Sequence, residues 1–318
     1  MDYYIGIDGG ATKTALCAAG VDNKFLRYSK TSGTSWREHG IEKAAQKLKE
    51  SVLELIGGDY SRIGGIALGL PGYGESAEGD PSLVKAVHDV FAGIRVFLTN
   101  DSEAGWAGSM ALAPGINIVA GTGSICYGKD NHGRTARSGG WSAFFGDEGS
   151  CHWVGRKVME VFSKQSDGRM ARDVLYDIVR RELNLSNDIS FIDLMHTRYI
   201  GSREQVARLQ LLAEKAALAG SPGAKALYEE AVMELLLLVS AVRNQLDFDG
   251  NRLCVSYSGG LFKAGDLVLT QFSSEIEKRG WKLSAPRFSP VEGAVLLAFQ
   301  HFYPEGLPQI QKIMTESK

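Results

Sequence analysis

The feature that most constrains this chain is a glycine-rich turn set between two apolar runs near its start. Tyr3 to Ile7 is apolar and ends at Asp8, Gly9-Gly10-Ala11-Thr12-Lys13-Thr14 follows, and Ala15 to Ala19 is apolar again. Two short apolar runs joined through adjacent glycines predict a β-hairpin. The turn is not a Walker A loop, because no glycine directly precedes Lys13. Its small residues nevertheless let backbone N–H groups approach phosphate oxygens. Thr12 and Thr14 add hydroxyls and Lys13 adds a cation. Asp8, where the first strand ends, is placed to hold a hydrated Mg²⁺. Two glycines also suffice for a plain hairpin turn, so this segment alone leaves both readings open.

A second start follows the same logic later in the chain. Ile116 to Ala120 is apolar, Gly121-Thr122-Gly123-Ser124 forms a turn, and Ile125 to Tyr127 is apolar again. Sequence identity between the two hairpins is slight, so this is an architectural echo rather than a repeat. If each half is a similar unit, the two glycine turns face one another across a cleft. A triphosphate needs donors on more than one side, so the pair carries more weight than either turn.

Between and beyond the hairpins, strand and helix patterns alternate. Lys24 to Ser29 is a candidate third strand; Ile63 to Leu70 and Ile94 to Leu98 read as strands. Ile41, Ala45, Leu48, Val52 and Leu55 recur at helical spacing over Ile41 to Ile56. Residues 151–245 read as mostly helical, Leu253 to Tyr257 as a buried strand, and Pro290 to Phe302 as a final helix. Strands alternating with helices predict an α/β class, and 318 residues suggest two domains.

Composition closes off several function classes. The chain carries 35 basic and 37 acidic residues without a basic block, so it offers no electrostatic footprint for nucleic acid or an anionic membrane. Cys17, Cys126, Cys151 and Cys254 form no CxxC pair, which predicts reduced thiols rather than a zinc site or a disulfide framework. The start has no basic segment ahead of an apolar one. The longest apolar run, Leu235 to Val242, falls far short of the roughly 20 residues of a spanning helix. A cytoplasmic protein, not bound to a membrane, is expected.

Further candidates lie at strand ends and turns. Asp101 follows the strand ending at Leu98 and precedes an expected helix from Ser102 to Leu112. An acid there can cap the helix, or accept a hydroxyl proton as a phosphoryl group arrives. Gly140-Trp141 and Asp147 share one short stretch. Trp141 can offer a flat face to a sugar ring and Asp147 can accept from its hydroxyls; a buried tryptophan and a capping acid are the alternatives. Ser258-Gly259-Gly260 after a strand can pass backbone against an adenine or ribose, or can simply begin a helix.

Together these pieces resemble a known family. DGGATKT at Asp8 to Thr14, TNDSEAG at Thr99 to Gly105 and AGTGS at Ala120 to Ser124 match in order. So do GGWSAFFGDEGS at Gly139 to Ser150, SGGLFKAG at Ser258 to Gly265 and SPVEGAVLLA at Ser289 to Ala298. The chain resembles the N-acetylglucosamine kinase branch of the actin, heat-shock chaperone and sugar kinase superfamily. That branch shares its fold with the activator ATPases of benzoyl-CoA reductase and hydroxyacyl-CoA dehydratase. The resemblance implies two ribonuclease H-like, actin-like ATPase domains with an interdomain cleft. Residues 1–114 plus about 295–318 would form one domain, and 115–294, with a helical insertion, the other. It implies transfer of the γ-phosphoryl of ATP, with Mg²⁺, to the 6-hydroxyl of an amino sugar, and a homodimer. By position Asp101 is then the catalytic base. Gly9, Gly10, Thr12, Lys13, Gly121, Thr122, Gly123, Ser124, Gly259 and Gly260 meet ATP. Ser35, Trp36, Asp101, Thr122, Gly140, Trp141 and Asp147 meet the sugar, and Asp8 holds the metal through water.

One departure stands out. The family usually carries an asparagine after a small Gly-x-Ser/Thr turn, where it touches the sugar; here Gly33-Thr34-Ser35 is followed by Trp36. An indole cannot reproduce an amide's paired donor and acceptor. Glucosamine and N-acetylmuramic acid therefore stand beside N-acetylglucosamine as expected substrates. A reductase-activating ATPase, with an iron–sulfur cluster on Cys126 and Cys151, is the competing enzyme class, and a non-catalytic ATP sensor a third.

Overall fold

The computed structural model describes residues 3–10, 13–20, 22, 25–248 and 253–317. The chain forms two compact units, Met1–Ala113 with Ala285–Lys318, and Pro114–Ser284. The return to the first unit falls at Ala285; the sequence reading put it near residue 295.

In the first unit, β1 (Tyr3–Asp8), β2 (Lys13–Gly20) and β3 (Phe25–Ser32) form an antiparallel meander. β4 (Ile63–Leu70) and β5 (Val96–Asn100) add in parallel on the other side of β1, giving the order β3-β2-β1-β4-β5. The expected third strand runs on to Ser32, and Lys24, its expected first residue, lies outside the described residues. Four helices are interleaved: α1 (Trp36–His39), α2 (Ile41–Ile56), α3 (Gly79–Val90) and α4 (Asp101–Met110). The helical spacing read over Ile41 to Ile56 is the buried face of α2: Leu48, Val52 and Leu55 pack with Ile5, Ile7, Ile66 and Leu68 from the sheet. Full burial of each such side chain is worth about 1.5–3 kcal/mol, against at most about 0.7 kcal/mol of intrinsic preference per residue. Packing therefore decides where α2 forms.

The second unit repeats the plan. β6 (Gly115–Ala120), β7 (Ser124–Lys129) and β8 (Thr135–Gly139) are an antiparallel meander. A long helical stretch follows: α5 (Cys151–Ser166), α6 (Val174–Glu182), α7 (Ser190–Leu194), α8 (Arg203–Arg208), α9 (Gln210–Leu218) and α10 (Pro222–Gln245). β9 (Cys254–Ser258), α11 (Asp266–Lys278) and β10 (Lys282–Ser284) complete it, in the order β10-β9-β6-β7-β8. Strand for strand this matches the first sheet, so the echo of the hairpins is an echo of whole sheets. Among the described residues no helix is long and apolar enough to cross a membrane.

The chain then returns to the first unit as α12 (Pro290–Phe302) and α13 (Leu307–Glu316). α12 opens with a capping box: the Ser289 hydroxyl meets the N–H of Glu292 and the Glu292 carboxylate accepts the N–H of Ser289 at 2.7 Å. Glu292 also accepts from the Tyr28 hydroxyl at 3.0 Å, which ties α12 to β3. β1 turns Ile5 and Ile7 to one core; its other face receives α12 so closely that a Cβ on Gly6 would lie 2.3 Å from the Val295 nitrogen. Strands covered on both faces explain the nearly unbroken apolar runs of β1 and β4.

Candidate active site

In the first unit, parallel pairing carries the carboxyl ends of β1, β4 and β5 to one edge. Asp8 is level with Gly69, Gly69 with Thr99, and Leu70 with Asn100. Asp101, the next residue, is the first of α4. A Cβ on Gly69 would lie 2.7 Å from the Ala104 Cβ and 3.4 Å from the Asp101 Cα, so this glycine lets the start of α4 close onto the strand beside Asp8. The first glycine turn is tied to the same edge: Gly9 N–H donates to the Gly69 carbonyl at 2.8 Å. Thr34 N–H donates to the Gly10 carbonyl at 3.1 Å, and the buried Thr14 and Thr34 hydroxyls share a 2.7 Å hydrogen bond. Lys13 is exposed at the start of β2. Thr12, expected in this turn, lies outside the described residues.

The helix-capping role open to Asp101 in the sequence belongs to its neighbour. The Asn100 side-chain oxygen accepts from Ser102 N–H at 3.0 Å and from the Ser102 hydroxyl at 2.7 Å, and its amide donates to the Tyr73 carbonyl at 2.8 Å. Asp101 therefore stands at the helix start, half-buried, without the capping task.

Ser35 and Trp36 sit beside the first turn through Thr34. Ser35 is buried, and its carbonyl accepts from Glu38 and His39 N–H at 3.2 and 3.0 Å. The Trp36 indole N–H donates to the Pro71 carbonyl at 3.1 Å, and Arg37 lies over its ring at 4.8 Å. A Cβ on Gly79 would come within 2.5 Å of that ring. The sole polar atom of the Trp36 side chain thus serves the 71–79 loop, and the ring is packed rather than presented.

In the second unit the expected residues gather around the other glycine turn. Gly121 N–H donates to the Gly123 carbonyl at 2.9 Å, and the Gly121 carbonyl accepts from Cys151 N–H at 2.9 Å. Gly140 N–H donates to the Ser124 carbonyl at 2.9 Å, and the Ser124 hydroxyl to the Glu148 carbonyl at 2.7 Å. Ser124 N–H donates to Asp147 Oδ1 at 3.3 Å. Gly259, at φ 107°, lies so close that a Cβ there would sit 2.4 Å from the Ala120 carbonyl; Gly260 abuts Cys151. Thr122 is exposed at the tip of the turn. Trp141 is 68% exposed, and the adjacent Phe144 and Phe145 are exposed as well. Asp147 is buried in a left-handed conformation, φ 58°, and pairs with Arg203. No local pattern points to Arg203, which comes from α8, 56 residues further on.

Residues 5–298 match the BadF/BadG/BcrA/BcrD ATPase family. The chain belongs to that family. Among curated relatives, an N-acetylmuramic acid/N-acetylglucosamine kinase of Clostridium acetobutylicum is 28% identical over 86% of this chain and 89% of the relative. An N-acetyl-D-glucosamine kinase of Dictyostelium discoideum is 25% identical over 93% and 98%. Among solved structures, a candidate N-acetylglucosamine kinase of Chromobacterium violaceum superposes with a TM-score of 0.76 at 26% identity, covering 94% of this chain and 99% of that one.

For a member of this ATPase family, the electrostatics at Asp8 are informative. Burial first, and then the nearby Asp101 charge, raise its pKa to about 7, with Lys13 partly offsetting both. An unfolded aspartate titrates near 3.9. Between those values the folded chain holds a proton that the unfolded chain has released, so stability falls as pH rises through this window. Thermal melts from pH 4 to 8 are expected to show that fall for the first unit, and Asp8→Asn to flatten it. A slope identical in both proteins would refute the placement of Asp8. In the second unit, burial and then the Arg203 charge lower the His152 pKa, against the pull of Asp147.

Proposed function

We propose that the protein is an ATP-dependent kinase that phosphorylates the 6-hydroxyl of an amino sugar, with N-acetylglucosamine as first substrate. The observation that carries this reading is the placement of Asp101 at the end of β5, level with the Asp8 end of β1 and the first glycine turn. The names of the two curated relatives support the amino sugar. In this reading Asp101 accepts the proton of the 6-hydroxyl as its oxygen bonds to the γ-phosphorus. The bond from that phosphorus to the β–γ bridging oxygen breaks, and ADP leaves. The Gly10 and Gly123 N–H groups, Thr122 and Lys13, with Thr12, serve the phosphates; Gly9, Gly121 and Ser124, whose N–H groups are taken up within the protein, shape the two turns around them. Gly259 and Gly260 border the adenosine. Gly140, Trp141 and Asp147, with Ser35, form the sugar side.

Among the described residues no group of three or more His, Cys, Asp or Glu side chains could hold a metal. Asp8, near Asp101, would instead hold a hydrated Mg²⁺ through water, and the ion would supply charge neutralisation at the phosphates. Ionised Asp8 is the form that binds a cation, so its raised pKa makes cation affinity climb with pH near 7. The reading also takes the protein to work in the cytoplasm as a homodimer on a small molecule, without nucleic acid or membrane.

Trp36 keeps the choice of sugar open, and the C. acetobutylicum relative's name adds N-acetylmuramic acid to it; glucosamine is the other alternative. The activator ATPase reading is disfavoured because Cys126 is fully buried in the core of the second unit. The test is ADP release across these sugars, with the phosphorylated position read by NMR. Stimulation by one of them and a 6-phosphate product are expected; ADP release that ignores every added sugar would sink the kinase reading.

A further inference from the structure

We propose that Arg203 is a positioning residue which holds the Asp147 carboxylate against the second glycine turn. This rests on the reading above, in which Asp147 accepts from sugar hydroxyls. The Asp147 side chain is 3% exposed, and a buried carboxylate needs partners on both oxygens. Oδ1 takes the Ser124 N–H at 3.3 Å, and Oδ2 takes the Arg203 guanidinium. The turn is shaped around the pair: a Cβ on Gly123 would lie 2.9 Å from each Asp147 oxygen and 2.5 Å from Arg203 Nη2.

The supports of the two partners are themselves locked together. Asp147 is tied to the start of α5, because its carbonyl accepts from Ser150 N–H at 3.1 Å and the Ser150 hydroxyl caps the helix at Trp153 N–H, also 3.1 Å. Arg203 opens α8, which the Ser202 hydroxyl caps at Gln205 N–H. α5 and α8 approach until a Cβ on Gly155 would lie 2.0 Å from the Val206 carbonyl oxygen. Helix packing thus fixes how far Arg203 reaches, and Arg203 fixes how the Asp147 carboxylate is turned. The guanidinium itself is half exposed, at 51%.

Arg203→Met, Arg203→Lys, Asp147→Asn and the double variant Arg203→Met/Asp147→Asn test this. Arg203→Met is expected to raise the KM for the sugar about tenfold, and to leave the KM for ATP within about twofold. Arg203→Lys keeps a cation and recovers part of the loss. In the Asp147→Asn background Arg203→Met adds nothing, because its effect runs through that carboxylate. Amide exchange of the Gly121–Ser124 segment, measured by mass spectrometry on the folded protein, is expected to quicken in Arg203→Met. A raised KM for ATP with an unchanged KM for sugar, additive losses in the double variant, or unaltered exchange would each overturn the assignment. If the wild-type chain releases no ADP with any amino sugar, the kinase reading falls, while the exchange measurement still decides the role of Arg203.

Discussion

Asp101→Asn is expected to lower sugar-dependent ADP release by about 10²–10⁴-fold at saturating ATP and sugar, with the KM for sugar little changed. The amide keeps the size and polarity of the carboxylate but not its basicity, so the loss falls on proton transfer rather than on binding. The local structure tolerates the change, because the cap of α4 is Asn100 and the α4 start is held by Gly69. A variant that keeps turnover within about threefold of wild type would remove Asp101 from the role of base. The same substitution has a second readout. The Asp101 charge is one reason for the high pKa of Asp8, after burial. Its removal is expected to bring the Asp8 titration down, shortening the pH window over which the first unit loses stability.

Both carboxylates reach this edge for a topological reason. β1, β4 and β5 are parallel, so three strand ends and the turns after them converge. Carboxyl ends of parallel strands are where open α/β sheets gather ligands. The first glycine turn follows β1 and Asp101 follows β5, with Gly69 of β4 between them: its carbonyl takes the Gly9 N–H, and its missing side chain admits α4.

Much of this was legible in the sequence, because the signals were local. Both hairpins, the face of α2 and the helical stretch after residue 151 follow from apolar spacing and glycine turns. What was not legible depends on distant partners. β8, Thr135–Gly139, is polar, mostly half-exposed and paired along one side only, so it lacks the alternation that marks a strand. β10 has three residues and little pattern to show. Asp101 looked like a cap as readily as a base until Asn100 was seen to hold Ser102. Trp36 could be recognised as a departure, but its bond to Pro71 could not. Arg203 meets Asp147 through the packing of α5 against α8, which no spacing rule encodes. α12 read clearly as a helix, yet its destination was set by bare backbone surfaces on other elements.

Those surfaces make the largest stability prediction. A Cβ on Gly293 would lie 2.1 Å from the Ala104 carbonyl oxygen and 2.3 Å from the Gly108 nitrogen, and one on Gly108 would lie 2.3 Å from the Ser289 carbonyl oxygen. α4 and α12 therefore cross with backbone against backbone, and α12 meets β1 the same way at Gly6. A side chain at Gly293 cannot swing aside, because the obstructing atoms are main chain; one helix has to move. Gly293→Val is expected to cost about 3 kcal/mol or more, at the upper end of overpacking effects. That corresponds to a fall of about 6–12 °C in the melting temperature of the first unit. Calorimetry should show the loss in one transition while the second unit's transition holds, since the two units have separate cores. Because α12 braces both β1, which carries Asp8, and α4, which carries Asp101, turnover should fall below the melting range as well. A melting temperature within about 2 °C of wild type would mean that the helices separate at little cost, and that the glycine crossing does not set the position of Asp101.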